Sequence, residues 1–285
     1  MGRVAYVVGQ PIGHSLSPHM HNAAFAACGI DATYLPAEVA SAELASWLRE
    51  VSTPLFLGCS VTVPHKEAVM PYLDHVEGDA ILCGAVNMIR RTADGQLIGA
   101  NTDTIGFRRS LAAEANRSLA GQNVVILGAG GAARALAVVA FQDRAAAVTL
   151  ANRHVERAWH VLEYLAELAG ATPVGAVELA GSDLDEALER ADVVVNATSV
   201  GLRSTLSPID PLLIRPSSLV VDIVYNPTLT ALLAGAQRRG APVLGGLGML
   251  VYQAAAAFEV WTGLAAPVAV MRAAAEQVLA AAGSH

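Results

Sequence analysis

Residues 122–133 of the chain read QNVVILGAGGAA, and this stretch decides the fold. Its first half, Gln122–Leu127, is a nearly continuous apolar run, which is typical of a parallel strand buried on both faces. Its second half fits the pattern G-x-G-x-x-A and leads directly into a helical segment. Glycines in this position let the backbone turn tightly and approach a pyrophosphate at the helix N-terminus. The stretch therefore predicts a dinucleotide site at Gly128, Ala129, Gly130, Gly131 and Ala132; a glycine-rich strand–helix corner without a ligand is the alternative.

The next strand along the chain, Ala147–Ala151, ends at a basic segment. An acidic residue at this position would bind the ribose 2′-hydroxyl of NAD. The sequence instead has Asn152, Arg153 and His154, with Arg157 one turn further on. Because a guanidinium forms forked hydrogen bonds with a phosphate, these residues favour NADP over NAD. A solvated basic patch at the start of a helix is the alternative.

Strand and helix patterns alternate on both sides of these two segments, which indicates an α/β fold. Further buried strands are predicted at Asp192–Asn196, Leu219–Val224 and Val243–Leu244. Together with the two strands above they make five, separated by helices. This pattern predicts a doubly wound nucleotide-binding domain over residues 105–244.

Residues 1–104 form a separate α/β unit in this interpretation. Two strands and two helices are predicted in it: strands at Val4–Val8 and Leu55–Val63, a helix capped by Ser17 that runs to about Cys28, and a helix at His65–Leu73. The alanine-rich tail from Met249 onward is helical in pattern and has no strand of its own. We therefore expect residues 245–285 to pack back onto the first domain.

The composition excludes several classes of protein. Lys and Arg number 18 against 25 Asp and Glu, so the formal net charge is −7, and no basic cluster marks a surface for nucleic acid or anionic membranes. Hydrophobic residues make up 54% and charged residues 15%, far from the composition of disordered chains. The N-terminus has no signal-peptide pattern, and charges or Pro267 interrupt the apolar stretches before they reach the roughly 20 residues of a membrane span. The sequence predicts a cytoplasmic protein without nucleic-acid or membrane partners.

The cysteines and histidines do not predict a metal site. Cys28, Cys59 and Cys83 are far apart and form no C-x-x-C pair, which favours buried thiols in a reducing compartment. His14, His19 and His21 do not have the spacing of a ligand pair on one helical face, which favours surface or packing roles. His65, beside Lys66, is expected to support its neighbour.

Three segments of the first domain place polar residues at strand ends, where open α/β sheets bind ligands. Ser15 and Ser17 lie two apart on a loop, so both hydroxyls could donate to one carboxylate. Lys66 directly follows a strand, and Asp103 follows the segment GANT. Taken singly, each has a structural alternative: a Ser-x-Ser-Pro turn, a solvated lysine, and a carboxylate that caps the helix near Thr104.

The order of the motifs is more specific than any one of them. GQPIGHSLSPHMHN, SVTVPHK, GAVN, GANTDTIG, GAGGAARA, NATSVGL, DIVYNPTLTALL and GLGMLVYQAAAAFEVWTG follow one another along the chain. Over essentially its whole length the sequence resembles the shikimate dehydrogenase family. The resemblance implies an N-terminal α/β substrate domain, a Rossmann-like doubly wound NADP-binding domain, and C-terminal helices that return to the first domain. It also implies the reversible NADPH-dependent reduction of 3-dehydroshikimate to shikimate in aromatic amino-acid biosynthesis.

The same resemblance implies roles for individual residues. Lys66 and Asp103 match the family's catalytic pair. Residues that match substrate-binding positions are Ser15, Ser17, Thr62, Asn87, Tyr225 and Gln253. On the cofactor side, Gly128–Ala132 and Asn152–Arg157 match phosphate and adenosine contacts, while Ile223, Gly246 and Met249 match positions that line the nicotinamide. Ser60, Met88 and Gly245 depart from the family's usual Asn, Thr and Asp.

Two other functions remain open at this stage. Ser60 and Met88 lie beside substrate-binding segments, so a quinate/shikimate dehydrogenase with broader substrate or NAD use is the first alternative. A non-catalytic metabolite sensor is the second, and the presence of both Lys66 and Asp103 argues against it. The expected partner is the small-molecule substrate, shikimate or 3-dehydroshikimate, and the expected assembly is a monomer or homodimer.

Overall fold

A computed structural model describes residues 2–282 and divides them into two units. One unit comprises residues 2–106 together with 251–282, and the other comprises residues 107–250. The predicted domain ranges, 1–104 with 245–285 and 105–244, and the roles assigned to them stay predictions. No helix within residues 2–282 is long and apolar enough to cross a bilayer.

The described residues contain twelve strands and twelve α-helices. The strands are β1 (Arg3–Gly9), β2 (Ala32–Glu38), β3 (Phe56–Val61), β4 (His75–Val76), β5 (Met88–Arg91), β6 (Leu97–Ala100), β7 (Asn123–Leu127), β8 (Ala147–Ala151), β9 (Val174–Val177), β10 (Val193–Asn196), β11 (Leu219–Asp222) and β12 (Val243–Leu244). The α-helices are α1 (Ser17–Ala27), α2 (Leu44–Val51), α3 (His65–Ala68), α4 (Asp79–Cys83), α5 (Asp103–Ala115), α6 (Gly131–Gln142), α7 (Val155–Tyr164), α8 (Ala166–Ala169), α9 (Ser182–Arg190), α10 (Ala231–Arg238), α11 (Leu247–Thr262) and α12 (Val268–Ala282).

The first unit is built on a six-stranded mixed sheet with the order β2-β1-β3-β5-β6-β4. Strands β1, β2 and β3 are parallel, whereas β5 runs antiparallel to both β3 and β6. Every residue of β3 is buried, as expected for the centre of a sheet covered on both faces. This order brings the carboxyl end of β3, the start of β5 and the end of β6 to one edge of the sheet.

The second unit is built on a six-stranded parallel sheet with the order β12-β11-β10-β7-β8-β9. The α/β fold with a doubly wound nucleotide-binding sheet is therefore confirmed. The predicted count of five strands is wrong, because the sequence interpretation missed β9. The chain order reverses between β7 and β10, and in such sheets this switch point is where ligands bind.

Two helix predictions need correction. Ser17 is not the N-cap of α1: Leu16 holds that position, and the helix begins at Ser17 itself with Pro18 in its first turn. The helix predicted at His65–Leu73 ends at Ala68, because Pro71 belongs to a separate 3₁₀ turn at Met70–Tyr72.

The amphipathic stretch from Val155 to Ala169 forms two helices, α7 and α8, which are divided at Leu165, the C-cap of the first and the N-cap of the second. Asp103 does not cap a helix at Thr104; it is the first residue of α5.

The end of the chain contributes to the first unit. Helix α12 packs against α1, and Phe258 of α11 lies with its ring centroid 5.8 Å from that of Phe25. The Trp261 indole donates a hydrogen bond to the Ile89 carbonyl oxygen, at 2.9 Å, and so contacts β5 directly. Cys59 and Cys83 are buried in this unit as free thiols, and Cys28 is half-buried.

Candidate active site

Lys66 and Asp103 form an ion pair in the first unit. The Lys66 Nζ lies 2.5 Å from the Asp103 Oδ2, and the two side chains are 15% and 7% exposed. The other carboxylate oxygen, Oδ1, accepts a hydrogen bond from the Asn87 Nδ2 at 2.8 Å. Each oxygen of Asp103 thus has a fixed partner, which holds the carboxylate and the ammonium in one orientation.

Three segments of the chain position this pair. Lys66 lies in α3, directly after the turn that ends β3, and its carbonyl oxygen accepts from the Val86 N–H at 2.7 Å. Asp103 begins α5, and the Asn101 side chain accepts from its N–H at 3.0 Å. Because β3, β5 and β6 are neighbours, their connecting segments meet at this edge of the sheet.

Thr102 joins the pair to the other polar residues. Its N–H donates to the Asn87 Oδ1 at 2.6 Å, and its hydroxyl lies 3.1 Å from the Asn87 Nδ2. The same hydroxyl donates to the Gln253 Oε1 at 3.5 Å. The structure therefore brings together four predicted site residues: Lys66, Asn87, Asp103 and Gln253. Thr102 was missed, although its place in the polar run Asn101–Asp103 after a strand was a usable signal.

His65 anchors the helix that carries Lys66. Its imidazole is fully buried, and Nε2 lies 2.8 Å from the Val39 carbonyl oxygen at the end of β2. The backbone N–H of His65 donates to the Thr62 carbonyl oxygen at 2.8 Å. This agrees with a supporting role for His65 beside the lysine. Thr62 itself is half-buried after β3, beside Gly9 at the end of β1.

Ser15 and Ser17 lie together after β1, but only Ser15 is in the loop, because Ser17 is the first residue of α1. The Ser17 N–H donates to the Ser15 Oγ at 3.3 Å, and Ser17 is 5% exposed. Close by, the buried Tyr34 hydroxyl donates to the Ser60 Oγ at 2.7 Å. Burial raises the pKa of Tyr34 well above its ordinary range, and the Ser60 and Ser17 side chains oppose that shift. The sequence interpretation missed Tyr34, because no polar motif surrounds it.

The histidines of the first loop and helix lie in different environments. His14 is half-buried and His19 is exposed, whereas His21 is fully buried and stacks on Tyr34 with ring centroids 4.3 Å apart. Burial lowers the pKa of His21 to about 3. Within residues 2–282 no group of three or more His, Cys, Asp or Glu side chains could hold a metal ion.

The glycine-rich turn of the second unit joins β7 to α6. Gly128 has φ +117°, and an added Cβ would lie 3.2 Å from the Ala197 carbonyl oxygen, so both conformation and space require glycine. Gly130 is different: its φ is −95°, and an added Cβ would have no atom within 4 Å. The fold does not need glycine at position 130. The space beside it fits a ligand that approaches the backbone at the helix N-terminus.

The basic segment after β8 also fits a cofactor. Arg153, His154 and Arg157 are exposed, and neither guanidinium has a hydrogen-bond or ion-pair partner within the described part of the chain. The Asn152 side chain donates to the His154 carbonyl oxygen at 2.8 Å and shapes the turn into α7. Two unpaired guanidiniums after β8 suit a 2′-phosphate.

The remaining predicted residues lie after β11 and β12 in the second unit. Gly246 packs directly against the Ile223 backbone, where an added Cβ would collide with the carbonyl group. Tyr225 is half-buried, and burial raises the pKa of its hydroxyl. Met249 is 8% exposed in the first turn of α11. Ile223 and Gly246 are thus brought together.

Comparison with known proteins gives consistent matches along the chain. Residues 7–89 match the family model of the shikimate dehydrogenase substrate binding domain, residues 110–223 that of shikimate / quinate 5-dehydrogenase, and residues 246–276 that of the shikimate 5′-dehydrogenase C-terminal domain. A shikimate dehydrogenase (NADP(+)) of Moorella thermoacetica is 48% identical over 267 residues, which are 93% of this chain and 90% of the relative.

Solved structures agree with the sequence matches. A crystal structure of a shikimate dehydrogenase in complex with NADP+ superposes with a TM-score of 0.89 at 37% identity, covering 98% of this chain and 96% of the other. The shikimate 5-dehydrogenase of Thermus thermophilus, in complex with NADP(H) and shikimate, gives a TM-score of 0.86 at 35% identity, covering 97% and 100% of the two chains.

A parallel sheet with a glycine-rich turn at its switch point, in a chain that also holds a buried lysine–aspartate pair, defines a nicotinamide-dependent oxidoreductase. The relatives narrow that class. The chain belongs to the shikimate dehydrogenase family.

Proposed function

We propose that this chain catalyses the reversible NADPH-dependent reduction of 3-dehydroshikimate to shikimate. The paired Lys66 and Asp103 carry the proposal, because reduction of a ring ketone needs a proton donor beside the oxygen that gains negative charge. The Lys66 ammonium has three hydrogens, and Asp103 is its single hydrogen-bond partner within residues 2–282. The remaining hydrogens are available to a substrate oxygen.

Each polar residue near the pair has a role in this proposal. Lys66 donates to the developing alkoxide and relays a proton, while Asp103 holds the ammonium and accepts from a substrate hydroxyl. Asn87 fixes the carboxylate through the 2.8 Å hydrogen bond to its Oδ1. Further substrate contacts come from Thr62, Gln253 and Tyr225, and the hydroxyls of Ser15 and Ser17 donate to the substrate carboxylate.

The second unit supplies the cofactor contacts. NADPH, when bound, provides the hydride. The backbone from Gly128 to Ala132 would bind its pyrophosphate at the start of α6, and the segment from Asn152 to Arg157 would bind the adenosine 2′-phosphate. Ile223, Gly246 and Met249 would line the nicotinamide.

Initial rates with four substrate and cofactor pairs test the function. Shikimate and quinate are each assayed with NADP+ and NAD+, and we expect the highest kcat/KM for shikimate with NADP+. Comparable kcat/KM for quinate or for NAD+ would instead assign the broader quinate/shikimate activity. Binding of shikimate without any cofactor reduction would assign a metabolite sensor.

Replacing Arg153 tests the choice of cofactor. The Arg153→Ala variant should raise the KM for NADP+ by about 10-fold or more and leave the KM for NAD+ unchanged, because it removes a charge-assisted contact to the 2′-phosphate. Arg238→Ala is the matched control, since Arg238 is an exposed arginine of the same unit in the last turn of α10. Equal effects of Arg153→Ala on both cofactors would show that Arg153 does not recognise the 2′-phosphate.

Location and assembly complete the proposal. The protein acts in the cytoplasm on a small-molecule substrate, as a monomer or homodimer. Cell fractionation and sedimentation velocity measure these two properties directly.

A further inference from the structure

Three buried polar residues of the second unit have no part in the chemistry proposed above. Asn196 ends β10, Asp222 ends β11 and Thr230 caps α10, and each is 0% exposed. The Asp222 Oδ1 accepts from the Asn196 Nδ2 at 2.9 Å, and its Oδ2 accepts from the Thr230 hydroxyl at 2.7 Å. These residues form one hydrogen-bonded group, called here the Asp222 network.

The Asp222 carboxylate is buried without a cation. Its partners within residues 2–282 are neutral donors: Asn196, Thr230 and the Val224 N–H, which lies 3.0 Å from Oδ1. Burial raises the pKa of Asp222, and the hydrogen bonds oppose that shift. A buried carboxylate is costly for folding, and its hydrogen bonds to these donors offset part of that cost.

Two of these donors lie near the two ends of the segment 223–229. Val224 is near its beginning, and Thr230 follows its end and also caps α10 by accepting from the Leu233 N–H at 3.3 Å. The carboxylate therefore fixes both ends of the segment. Ile223 and Tyr225, the proposed nicotinamide and substrate contacts, lie within it.

Asn196 extends the network to the glycine-rich turn. Its Oδ1 accepts from both the N–H and the hydroxyl of Thr198, at 3.0 and 2.7 Å, and its Nδ2 donates to the Val200 carbonyl oxygen at 3.1 Å. Thr198 packs against Gly128, where an added Cβ would lie 3.2 Å from the threonine methyl carbon. The loops that follow β7, β10 and β11 are thus joined at the switch point of the sheet.

Ile223 is constrained from a second direction. Its N–H donates to the Asn196 carbonyl oxygen at 3.1 Å, and its carbonyl group packs directly against Gly246. The backbone at position 223 has no room to shift toward Gly246. The Asp222 network and the contact with Gly246 therefore constrain the same stretch of backbone from two sides.

We infer that Asp222 is a positioning residue that holds the segment 223–229 against the nicotinamide end of the cofactor, through Asn196, Val224 and Thr230. The inference rests on the proposed function for the identity of the cofactor. The inference predicts that the two halves of the cofactor bind through different residues. Binding of the adenosine half depends on the segment from Asn152 to Arg157, and placement of the nicotinamide half depends on the Asp222 network.

Two variants of Asp222 and one control test the inference. Asp222→Ala removes the acceptor, whereas Asp222→Asn keeps one oxygen for Asn196 and Val224. The matched control is Asp192→Ala, because Asp192 also accepts from an asparagine side chain and its backbone, Asn123 at 3.0 and 2.9 Å, but does so at the opposite end of β10. For each variant we measure kcat for shikimate oxidation, the Kd of NADP+ and the Kd of adenosine 2′,5′-bisphosphate, which has no nicotinamide.

Asp222→Ala should lower kcat by about 10- to 100-fold and weaken NADP+ binding, as expected when reacting groups are misplaced by a fraction of an ångström. Asp222→Asn should fall between Asp222→Ala and the parent chain. All variants should bind adenosine 2′,5′-bisphosphate like the parent chain, and the Asp192→Ala control should match the parent chain in every measurement. A purely structural role would weaken binding of both nucleotides equally.

Unchanged kcat and NADP+ affinity in Asp222→Ala would overturn the inference. If that variant does not fold, the same result in Asp222→Asn would overturn it. If the parent chain does not oxidise shikimate, the proposed function fails, and the ratio of the two nucleotide affinities alone decides the role of Asp222.

Discussion

Lys66 is the only lysine among the 18 Lys and Arg residues of the chain, and it lies in the candidate active site. An arginine at this position would keep the positive charge beside Asp103. It could not release a proton, because the guanidinium stays protonated at every pH a protein survives. The use of lysine at this one position is therefore chemically informative. In the proposed mechanism this position needs a group able to give up and regain a proton, which lysine provides.

This argument predicts different losses for two variants of Lys66. Lys66→Ala should lower kcat by about 10²- to 10⁴-fold, the contribution expected of a general acid–base group, with little change in the KM for NADP+. Lys66→Arg should be nearly as slow, although it restores the charge. Turnover at the parent rate in either variant would show that Lys66 does not take part in proton transfer.

The single lysine also allows a chemical control. Lys66 and the N-terminal amine are the only amines that an acetylating reagent can modify, so loss of activity should follow the acetylation of the Lys66 side chain, measured by mass spectrometry. Bound shikimate should slow the acetylation of Lys66. Loss of activity before Lys66 is acetylated would assign the effect to another group.

His21 makes the stability of the protein depend on pH. Its pKa is about 3 in the folded chain because of burial, against the ordinary value of 6.5. Below pH 6.5 the unfolded chain therefore binds a proton that the folded chain excludes. The stability that results from keeping His21 neutral is fully present above pH 6.5 and is lost as the pH falls toward 3. At pH 5 the loss in the free energy of unfolding is about 2 kcal/mol.

Denaturant unfolding between pH 8 and pH 5 measures this loss. In His21→Phe the free energy of unfolding should fall by about 2 kcal/mol less over that range than in the parent chain. His19→Phe is the control, because His19 is exposed on the same helix, and it should keep the parent slope. An identical slope in His21→Phe and the parent chain would contradict the prediction.

At the scale of the elements, burial on both faces decides what can be predicted from sequence. Strands β7, β8, β10 and β11 are largely apolar runs because most of their residues are buried, and all four were predicted. Strand β9 was missed, since it is a partly exposed edge strand with the sequence VGAV. Strands β4, β5 and β6 have only two to four residues each, too few for a periodic pattern.

The polar residues show the same limit. Lys66, Asn87 and Asp103 were predicted because each follows or precedes a recognisable segment and matches a family motif. Tyr34 was missed because it lies within β2, which contains Pro36 and has no clear alternation. The hydrogen bond from Tyr34 to Ser60 depends on the pairing of β1 with both β2 and β3, and no local sequence pattern specifies that pairing.

Within the glycine-rich turn, two glycines should respond differently to alanine. Gly128→Ala should destabilise the fold by about 1–3 kcal/mol, because residue 128 has a positive φ and no space for Cβ. Gly130→Ala should leave the Tm of the ligand-free protein unchanged, since its φ is −95° and an added Cβ meets nothing within 4 Å. The same variant should weaken the binding of NADP+ by about 10-fold or more, because the added methyl group would occupy the space proposed for the pyrophosphate. Thermal melting and calorimetric titration check the two effects, and parent-like NADP+ binding by Gly130→Ala would show that the turn binds no phosphate.

At the scale of the whole molecule, the chain leaves the first unit and later returns to complete it. Trp261 shows what the return contributes. Its indole is 6% exposed, it blocks the space above Gly58 of β3, and it donates to Ile89 of β5, which lies 172 residues away in the sequence. The centre of the first sheet is therefore covered by residues synthesised near the end of the chain. Contacts of such long range slow folding, because the connecting loop must close before they form.

The Trp261 contact can be measured with a matched pair of tryptophans. Trp261→Phe keeps an aromatic ring but removes the indole donor from the buried Ile89 carbonyl oxygen, which should lower the free energy of unfolding by about 1–3 kcal/mol. Trp159→Phe makes the same chemical change on α7, where the side chain is 44% exposed, and should stay within about 0.5 kcal/mol of the parent chain. Chemical denaturation followed by circular dichroism, which does not rely on the tryptophans as probes, gives both values. Equal destabilisation by the two variants would mean that the returning helix is held by apolar packing alone, because only Trp261 loses a buried hydrogen bond.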